Sequence, residues 1–267
     1  MLTVVAGSLG AGKTRWIWEQ MTAQKGSEPL LYINPLTVGV DAYRLLLDVP
    51  HLQVETDLSK ALPVTESGAV TESGAVAESG AIYLELGHHL SLDLPLLARV
   101  PHHRVAVISA DCPTRSDWEQ WAEEVVISNV KSPDASPDIT DAETDLWQAS
   151  LQGQVLDPAS LHTFWQELVQ GAYGQMIRTK AVFELADGQA IYVDHLPQQE
   201  TTYQDLPLPK WLNGRPQRFS GIEMMGQALD KAAIAATLQD CCLTDATLAS
   251  HQAALQQSQV YSPQETA

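Results

Sequence analysis

Eight residues near the start of the chain, from Gly7 to Thr14 (GSLGAGKT), fit the pattern G-x-x-x-x-G-K-[ST]. Glycines let backbone amides turn inward onto phosphate oxygens, and a helix that starts after the loop adds about half a unit of positive charge. A lysine at this position reaches the β- and γ-phosphates of a nucleotide, and the threonine hydroxyl ligates Mg²⁺. We therefore predict a polyphosphate site made of the following residues: Gly7, Gly10, Ala11, Gly12, Lys13, Thr14 and Arg15.

The segments on either side of this loop are those that such a loop requires. The apolar run 2–6 predicts a buried strand, and residues 15–24, with Ile17 and Met21 four apart, predict the helix that follows. The alternative is an ordinary glycine turn between a strand and a helix. Because strand, glycine loop and helix are all present in order, a phosphate site is the better interpretation.

Two acidic residues follow predicted strands of the same sheet. Strand 81–85 ends in Glu85, and Gly87 comes two residues later, so the carboxylate would hold magnesium while the glycine amide lies near the γ-phosphate. Asp41 lies in a short predicted helix after strand 29–34, where it would orient water or a magnesium ligand. The alternatives are a helix N-cap for Asp41 and a solvated strand end for Glu85.

After a fourth predicted strand at 104–109, a fifth, 124–129, ends in Asn129-Val130-Lys131. In GTPases an Asn at this strand end recognises the guanine edge, a Lys packs over the base, and an Asp two residues further accepts hydrogen bonds from it. Asn129 and Lys131 have the required types, but the spacing is shifted and no Asp is in register. The sequence leaves GTP and ATP open as ligands.

The composition restricts the class of partner. Fifteen basic and thirty-three acidic residues give a formal net charge of -18, which repels nucleic acid and anionic membranes. A polyphosphate bound in this field would require a divalent cation, although the acidity could equally serve solubility alone. Three cysteines give no disulfide framework, and no run has the length of a membrane span or the form of a signal peptide, so we expect a cytoplasmic protein.

The order of predicted elements indicates two domains of different class. The predicted fold is α/β: a P-loop NTPase domain with a mainly parallel sheet over 1–150, then a small α+β domain over 175–245. Residues 151–174 would form a connecting helix that starts at Asp157-Pro158, and 246–267 a C-terminal helix and tail. In the second domain, strands 177–185 and 191–196 flank a hairpin turn, 218–224 form another strand, and Asp230 caps a helix.

Two other features carry no predicted chemistry. Residues 65–82 contain three nearly identical hexapeptides, too few for a β-helix with its own core, and are interpreted as a lengthened surface loop. The adjacent histidine pairs 88–89 and 102–103 suggest a metal site, but neighbours on a strand point to opposite faces and rarely share one ion.

On these residues the chain resembles the CobW-like P-loop GTPases, which include cobalamin-synthesis accessory proteins, nitrile hydratase activators and zinc chaperones. The loop from Gly7 to Thr14 matches the family's G-x-L-G-A-G-K-T, Glu85-Leu86-Gly87 is similar to its E-x-x-G, and Asn34 with Gly39 and Asp41 is similar to its N-E-F-G and G-x-D. The second domain resembles the family's C-terminal module at Arg178-Thr179-Lys180, at the 186–188 hairpin and at 229–245. The likeness covers nearly the whole chain.

The chain also departs from the family pattern. The family's cysteine metal motif, G-C-x-C-C, is absent, the hexapeptide repeat occupies the corresponding region, and no cysteine precedes Cys112. Because Thr, Glu and Ser are poor substitutes for thiolates, transition-metal loading is not expected there. Pro35 also replaces the acid of N-E-F-G.

The resemblance implies a magnesium-dependent nucleoside triphosphatase with slow turnover, GTP as its expected ligand, and a C-terminal module that reports nucleotide state to a client protein. Metal or cofactor homeostasis is the setting that the family suggests. Three rivals remain: a degenerate module that binds nucleotide or nothing, a metal chaperone that uses histidines, and an ATP-dependent small-molecule kinase.

Overall fold

The computed structural model describes residues 1–24, 29–35, 37, 39–62, 80–87, 90–129, 144–197 and 199–260. For residues 259 and 260 it describes the backbone alone. The hexapeptide repeat therefore falls almost wholly outside the described residues, as do His88, His89 and Lys131. The chain divides into two compact units, 1–140 and 141–267. The sequence predicted this division after residue 150. It lies earlier because residues 145–150 form a strand of the second unit's sheet.

The first unit contains a six-stranded sheet in which every pairing is parallel. Its strands are β1 (Leu2–Gly7), β2 (Leu30–Ile33), β3 (Leu52–Glu55), β4 (Ala81–Glu85), β5 (His102–Ser109) and β6 (Glu124–Ser128), in the order β3-β2-β4-β1-β5-β6. The helices of this unit are α1 (Lys13–Ala23), α2 (Val40–Asp48), α3 (Leu58–Ala61) and α4 (Arg115–Trp121), with a short 3₁₀ helix at Leu97–Arg99. This architecture confirms the predicted α/β class.

The strands near the middle of this sheet are buried on both faces, which explains their continuous apolar runs. In β1, Val5 packs with Ile17 and Met21 of α1 in one core, and Val4 packs with Leu31 in the core on the opposite face. The edge strand β3 was not predicted from the sequence. It has four residues, and Gln53 is exposed within it, so it lacks the apolar run that marked the others.

The second unit contains a five-stranded antiparallel sheet. Its strands are β7 (Asp145–Ser150), β8 (Gln175–Glu184), β9 (Ala190–His195), β10 (Thr202–Asp205) and β11 (Gly221–Gln227), in the order β10-β9-β8-β11-β7. Its helices are α5 (Pro158–Val169), α6 (Lys231–Asp240) and α7 (Asp245–Val260). The predicted hairpin of β8 and β9 is present, whereas β7 and β10 were not predicted and β11 begins three residues later than expected.

The helix α5 has a different role from the one predicted. The sequence suggested a connector between domains, but Leu161, Phe164 and Trp165 of α5 are buried in the core of the second unit. The same core contains Ile234 of α6, whose N-cap Asp230 accepts a hydrogen bond from the amide of Ala233 at 2.9 Å. The apolar stripe on α5 therefore packs within this unit.

Candidate nucleotide-binding site

The glycine loop lies between the end of β1 and the start of α1. Gly10 and Gly12 have φ values of 74° and 91°, a left-handed conformation that glycine adopts without a steric penalty. Gly12 is the N-cap of α1 and has no side chain to accept hydrogen bonds from the first turn. The N-terminus of this helix therefore carries no side-chain cap in competition with an anion.

Gly7 allows β1 and β5 to lie very close together at the base of the loop. Its φ is 137°, and a Cβ atom built there would lie 1.8 Å from the carbonyl oxygen of Val107. One residue further, the Ser8 hydroxyl accepts a hydrogen bond from the amide of Ser109 at 3.1 Å. The loop is therefore anchored to the neighbouring strand where it begins.

Lys13 is buried and its ammonium group lies against the loop's own backbone. Its Nζ donates to the carbonyl oxygens of Gly7 and Ser8 at 3.3 and 3.2 Å. These contacts hold the positive charge beside the glycine loop, where a phosphate would bind. Arg15 differs, because its side chain is exposed and forms an ion pair with Glu19 on the surface of α1.

Thr14 and Glu85 meet at the carboxyl edge of the parallel sheet. Glu85 ends β4, which pairs directly with β1 so that Val5 and Glu85 are register partners. The Thr14 hydroxyl donates to Glu85 Oε1 at 3.1 Å, and the carboxylate is buried. The structure thus brings together the two residues that the sequence proposed as magnesium ligands.

Tyr32 and Asn34 also belong to this cluster and were not among the site residues predicted from the sequence. The Tyr32 hydroxyl donates to Glu85 Oε2 at 2.8 Å, and Asn34 Nδ2 donates to the Tyr32 oxygen at 3.0 Å. Burial raises the pKa of Tyr32 well above its ordinary value, and the negative charges of Glu85 and Asp41 raise it further. A tyrosine inside an aliphatic strand was the available signal, because a buried hydroxyl must find a partner.

Asp41 is buried in the first turn of α2. The N-cap of that helix is Gly39, so the alternative that Asp41 is itself the cap is wrong. A carboxylate in the first turn is favourable because it faces the positive end of the helix dipole. The negative charge of Asp41 also raises the pKa of Tyr32, whose hydroxyl donates to Glu85.

The predicted base-binding residues are less well placed. Asn129 follows the edge strand β6, which β5 separates from β1, and its side chain is exposed; Lys131 lies outside the described residues. Gly87, which the sequence placed near the γ-phosphate and not the base, follows β4 by two residues, and its carbonyl oxygen accepts a hydrogen bond from the amide of Leu90 at 3.0 Å. The geometry supports a phosphate site more strongly than a guanine site.

The described residues hold no group of three or more His, Cys, Asp or Glu side chains placed to bind a metal ion. His102 and His103 contact different partners: a ring nitrogen of His102 lies 2.7 Å from the Val100 carbonyl oxygen, and His103 lies 3.4 Å from Glu124. The hard oxygen donors of Thr14 and Glu85 do fit Mg²⁺, which takes few protein ligands and keeps several of its waters. No helix among the described residues is long and apolar enough to cross a bilayer.

Residues 151–242 match the family model described as the cobalamin synthesis protein cobW C-terminal domain. Two solved structures, the zinc-bound YjiA GTPase from E. coli and a zinc-bound triple mutant of YjiA GTPase, are each 11% identical to the chain and cover 90% of it and 98% of their own length. Their TM-scores, 0.31 and 0.32, are too low for the likeness to carry an argument. A search of curated proteins found no match.

The family match covers α5, β8, β9, β10, β11 and α6, which include most of the second unit's core. It overlaps the C-terminal module that the sequence resemblance placed at 175–245, but it begins earlier, at residue 151, and so includes the segment predicted as a connecting helix. The first unit has the fold of P-loop nucleotide-binding proteins, with the glycine loop at the end of a central parallel strand. Residues 151–242 are therefore similar to the cobW C-terminal domain, the part of the chain that the comparison with known families covers.

Proposed function

We propose that the first unit binds a nucleoside triphosphate together with Mg²⁺, with GTP as the expected nucleotide, and hydrolyses it slowly. The observation that carries this proposal is the hydrogen bond from the Thr14 hydroxyl to Glu85 Oε1, 3.1 Å long, beside a glycine loop that ends in Lys13. The bond joins the loop's threonine to a carboxylate on the neighbouring strand. This pair supplies oxygen ligands, or partners for the ion's waters, next to the phosphate loop.

Each residue of the loop has a separate task in this proposal. The amides at the start of α1 and the Lys13 ammonium bind phosphate oxygens and offset their negative charge. Thr14 and Glu85 would hold the metal ion, which when bound neutralises charge that develops on the phosphates. Asp41, buried at the start of α2, would orient the attacking water.

The second unit would report the nucleotide state to a client protein in metal or cofactor homeostasis. What supports this part is the match of residues 151–242 to the CobW C-terminal domain. A nucleotide-dependent movement of this module is the form of coupling we propose.

The rival is a degenerate module that binds nucleotide without turning it over. Two features favour this rival because they weaken the case for guanine recognition: the side chain of Asn129 is exposed, and the sequence has no Asp in register with it. Release of phosphate from GTP by purified protein, compared between wild type and Lys13→Ala, separates the two. We expect magnesium-dependent release that the substitution abolishes; turnover unchanged by Lys13→Ala would end the enzymatic proposal.

The choice of base needs a separate measurement because the phosphate loop itself does not select it. Competition of unlabelled GTP and ATP against a fluorescent GTP analogue gives the two affinities directly. We expect GTP to compete at lower concentration. A preference for ATP would instead support the small-molecule kinase.

A further inference from the structure

Both oxygens of the buried Glu85 carboxylate are held by hydroxyl groups from different elements. Thr14 of α1 donates to Oε1 at 3.1 Å, and Tyr32 of β2 donates to Oε2 at 2.8 Å. The proposed metal site accounts for the contact to Thr14. It does not account for the contact to Tyr32, which approaches the carboxylate from the neighbouring strand.

The orientation of the Tyr32 hydroxyl is fixed by its surroundings. The ring is fully buried in the core between the sheet and α1, with Val5 and Ile17 in the same cluster. Asn34 Nδ2 donates to the hydroxyl oxygen at 3.0 Å, so one lone pair is occupied and the O–H bond is left for Glu85. The order of donation is therefore Asn34 to Tyr32 to Glu85.

We propose that Tyr32, itself oriented by Asn34, is a positioning residue that fixes the Glu85 carboxylate for the cation; this inference rests on the proposed function. A glutamate side chain has three rotatable bonds, and its carboxylate rotates unless both oxygens are held. With Oε2 bound to Tyr32, Oε1 stays towards Thr14. The Thr14 hydroxyl then keeps an acceptor for its proton while its own lone pairs are available to a metal ion.

This role differs from simple filling of the core. Phenylalanine at position 32 would preserve the ring and its packing but leave Oε2 without this donor. A purely structural tyrosine would affect the free energy of unfolding without altering how nucleotide affinity depends on Mg²⁺. Partners that orient a metal ligand, in contrast, typically change metal affinity about tenfold to a hundredfold when they are lost.

Tyr83→Phe offers a matched control. Tyr83 is the register partner of Tyr32 in the pairing of β2 with β4, and both rings lie in the same core. The Tyr83 hydroxyl accepts a hydrogen bond from Gln24 Nε2 at 2.9 Å. Its removal therefore takes away one buried tyrosine hydroxyl without touching Glu85.

The experiment measures the affinity for a fluorescent GTP analogue over a series of free Mg²⁺ concentrations and in excess EDTA. For Tyr32→Phe we expect the Mg²⁺ concentration at half-maximal tight binding to rise about tenfold to a hundredfold. Affinity in EDTA should stay at the wild-type value. Tyr83→Phe should match wild type in both conditions.

Three outcomes decide the matter. A wild-type Mg²⁺ midpoint in folded Tyr32→Phe overturns this inference and leaves the proposed function standing. Wild-type protein whose binding does not depend on Mg²⁺ overturns the metal part of the proposed function, and this inference with it. If Tyr32→Phe does not fold, Asn34→Ala takes its place as the test. This variant should shift the Mg²⁺ midpoint in the same direction by a smaller factor. An unchanged midpoint in Asn34→Ala would refute the proposal.

Discussion

Two buried glutamates, Glu85 and Glu184, each end a strand of their own sheet, yet they are stabilised in different ways. They are 5% and 1% exposed, respectively. Glu184 forms an ion pair with the guanidinium group of Arg218, which binds both carboxylate oxygens. Glu85 accepts hydrogen bonds from two neutral hydroxyls, and it forms no ion pair within the part of the chain that the structure describes.

The contrast indicates different purposes for the two carboxylates. A buried negative charge is costly unless it is paired with a positive charge or well hydrogen-bonded. The second unit supplies the counter-charge of Glu184 from its own sequence, so that carboxylate is part of the fold. Among the residues that the structure describes, Glu85 has hydrogen-bond donors but no ion-pair partner, as expected for a carboxylate that receives a cation together with a ligand.

The largest effect predicted by this comparison is on folding stability. Arg218→Ala should lower the free energy of unfolding by about 3–5 kcal/mol, because it leaves Glu184 buried without its partner. It also removes a hydrogen bond to the carbonyl oxygen of Pro209. Chemical denaturation followed by circular dichroism measures the change.

A double variant separates the cost of the unpaired charge from that of lost packing. Glu184→Gln combined with Arg218→Met removes both charges and should be less destabilised than Arg218→Ala alone. A loss well below 1 kcal/mol for Arg218→Ala would show that the ion pair does not support the fold.

The corresponding change at Glu85 should affect metal dependence more than folding. Glu85→Gln keeps the size of the side chain but removes the charge, and we expect the Mg²⁺ requirement for nucleotide binding to rise about tenfold or more. Its free energy of unfolding should change less than that of Arg218→Ala. Mg²⁺ titrations of nucleotide affinity, together with denaturation curves, give both quantities.

Glu55→Gln is a suitable control for Glu85→Gln. Glu55 also ends a strand of the parallel sheet, and its carboxylate accepts hydrogen bonds from the amides of Thr56 and Asp57 at 2.9 Å. It should leave the Mg²⁺ requirement unchanged. Equal shifts in the two variants would remove the special status of Glu85.

The smallest predicted effect concerns the helix ends, where the same contrast appears. Gly12 leaves α1 without a side-chain cap, whereas Asp157 caps α5 by accepting from the amide of Ser160 at 2.9 Å. Asp157→Ala should therefore cost about 1 kcal/mol of stability. Denaturant titrations of wild type and Asp157→Ala at neutral pH measure this difference in the free energy of unfolding.

The pH dependence of that cost follows from the pKa of Asp157. Hydrogen bonds from the Ser160 amide and hydroxyl lower the pKa in the folded state. The contribution is therefore complete above the ordinary Asp pKa and is lost as pH falls through the folded value. The stability difference between wild type and Asp157→Ala should shrink below that range, and a difference that grew on acidification would contradict the assigned cap.

The parts of the fold that the sequence predicted are those in which local signals and burial agree. Continuous apolar runs identified β1 and β2, and the Asp157-Pro158 pair identified the start of α5. The strands that were missed, β3, β7 and β10, are all edge strands, and each has at most one buried residue. One-sided or polar edge strands lack the apolar pattern on which such predictions depend.

The candidate site shows the same division. The glycine loop and Glu85 could be predicted because the chemistry fixes their residue types and their place at strand ends. The buried Tyr32 signalled only that its hydroxyl must have some partner. That this partner is Glu85 could not be predicted, since it depends on β2 lying beside β4, a pairing between segments about fifty residues apart in the chain. The alternative that Asp41 is the N-cap of α2 was wrong because Gly39, which has no capping side chain, occupies that position.

The most direct test of the central claim is the equilibrium affinity for GTP in the presence of Mg²⁺, measured by calorimetry with wild type, Lys13→Ala and Lys60→Ala. Lys60 is an exposed lysine of α3 that pairs with Asp57, so it controls for the loss of one positive charge. We predict saturable binding to wild type and to Lys60→Ala, weakened about tenfold to a hundredfold in Lys13→Ala. Absence of wild-type binding, or equal affinity in all three proteins, would contradict the assignment of the glycine loop as a nucleotide site.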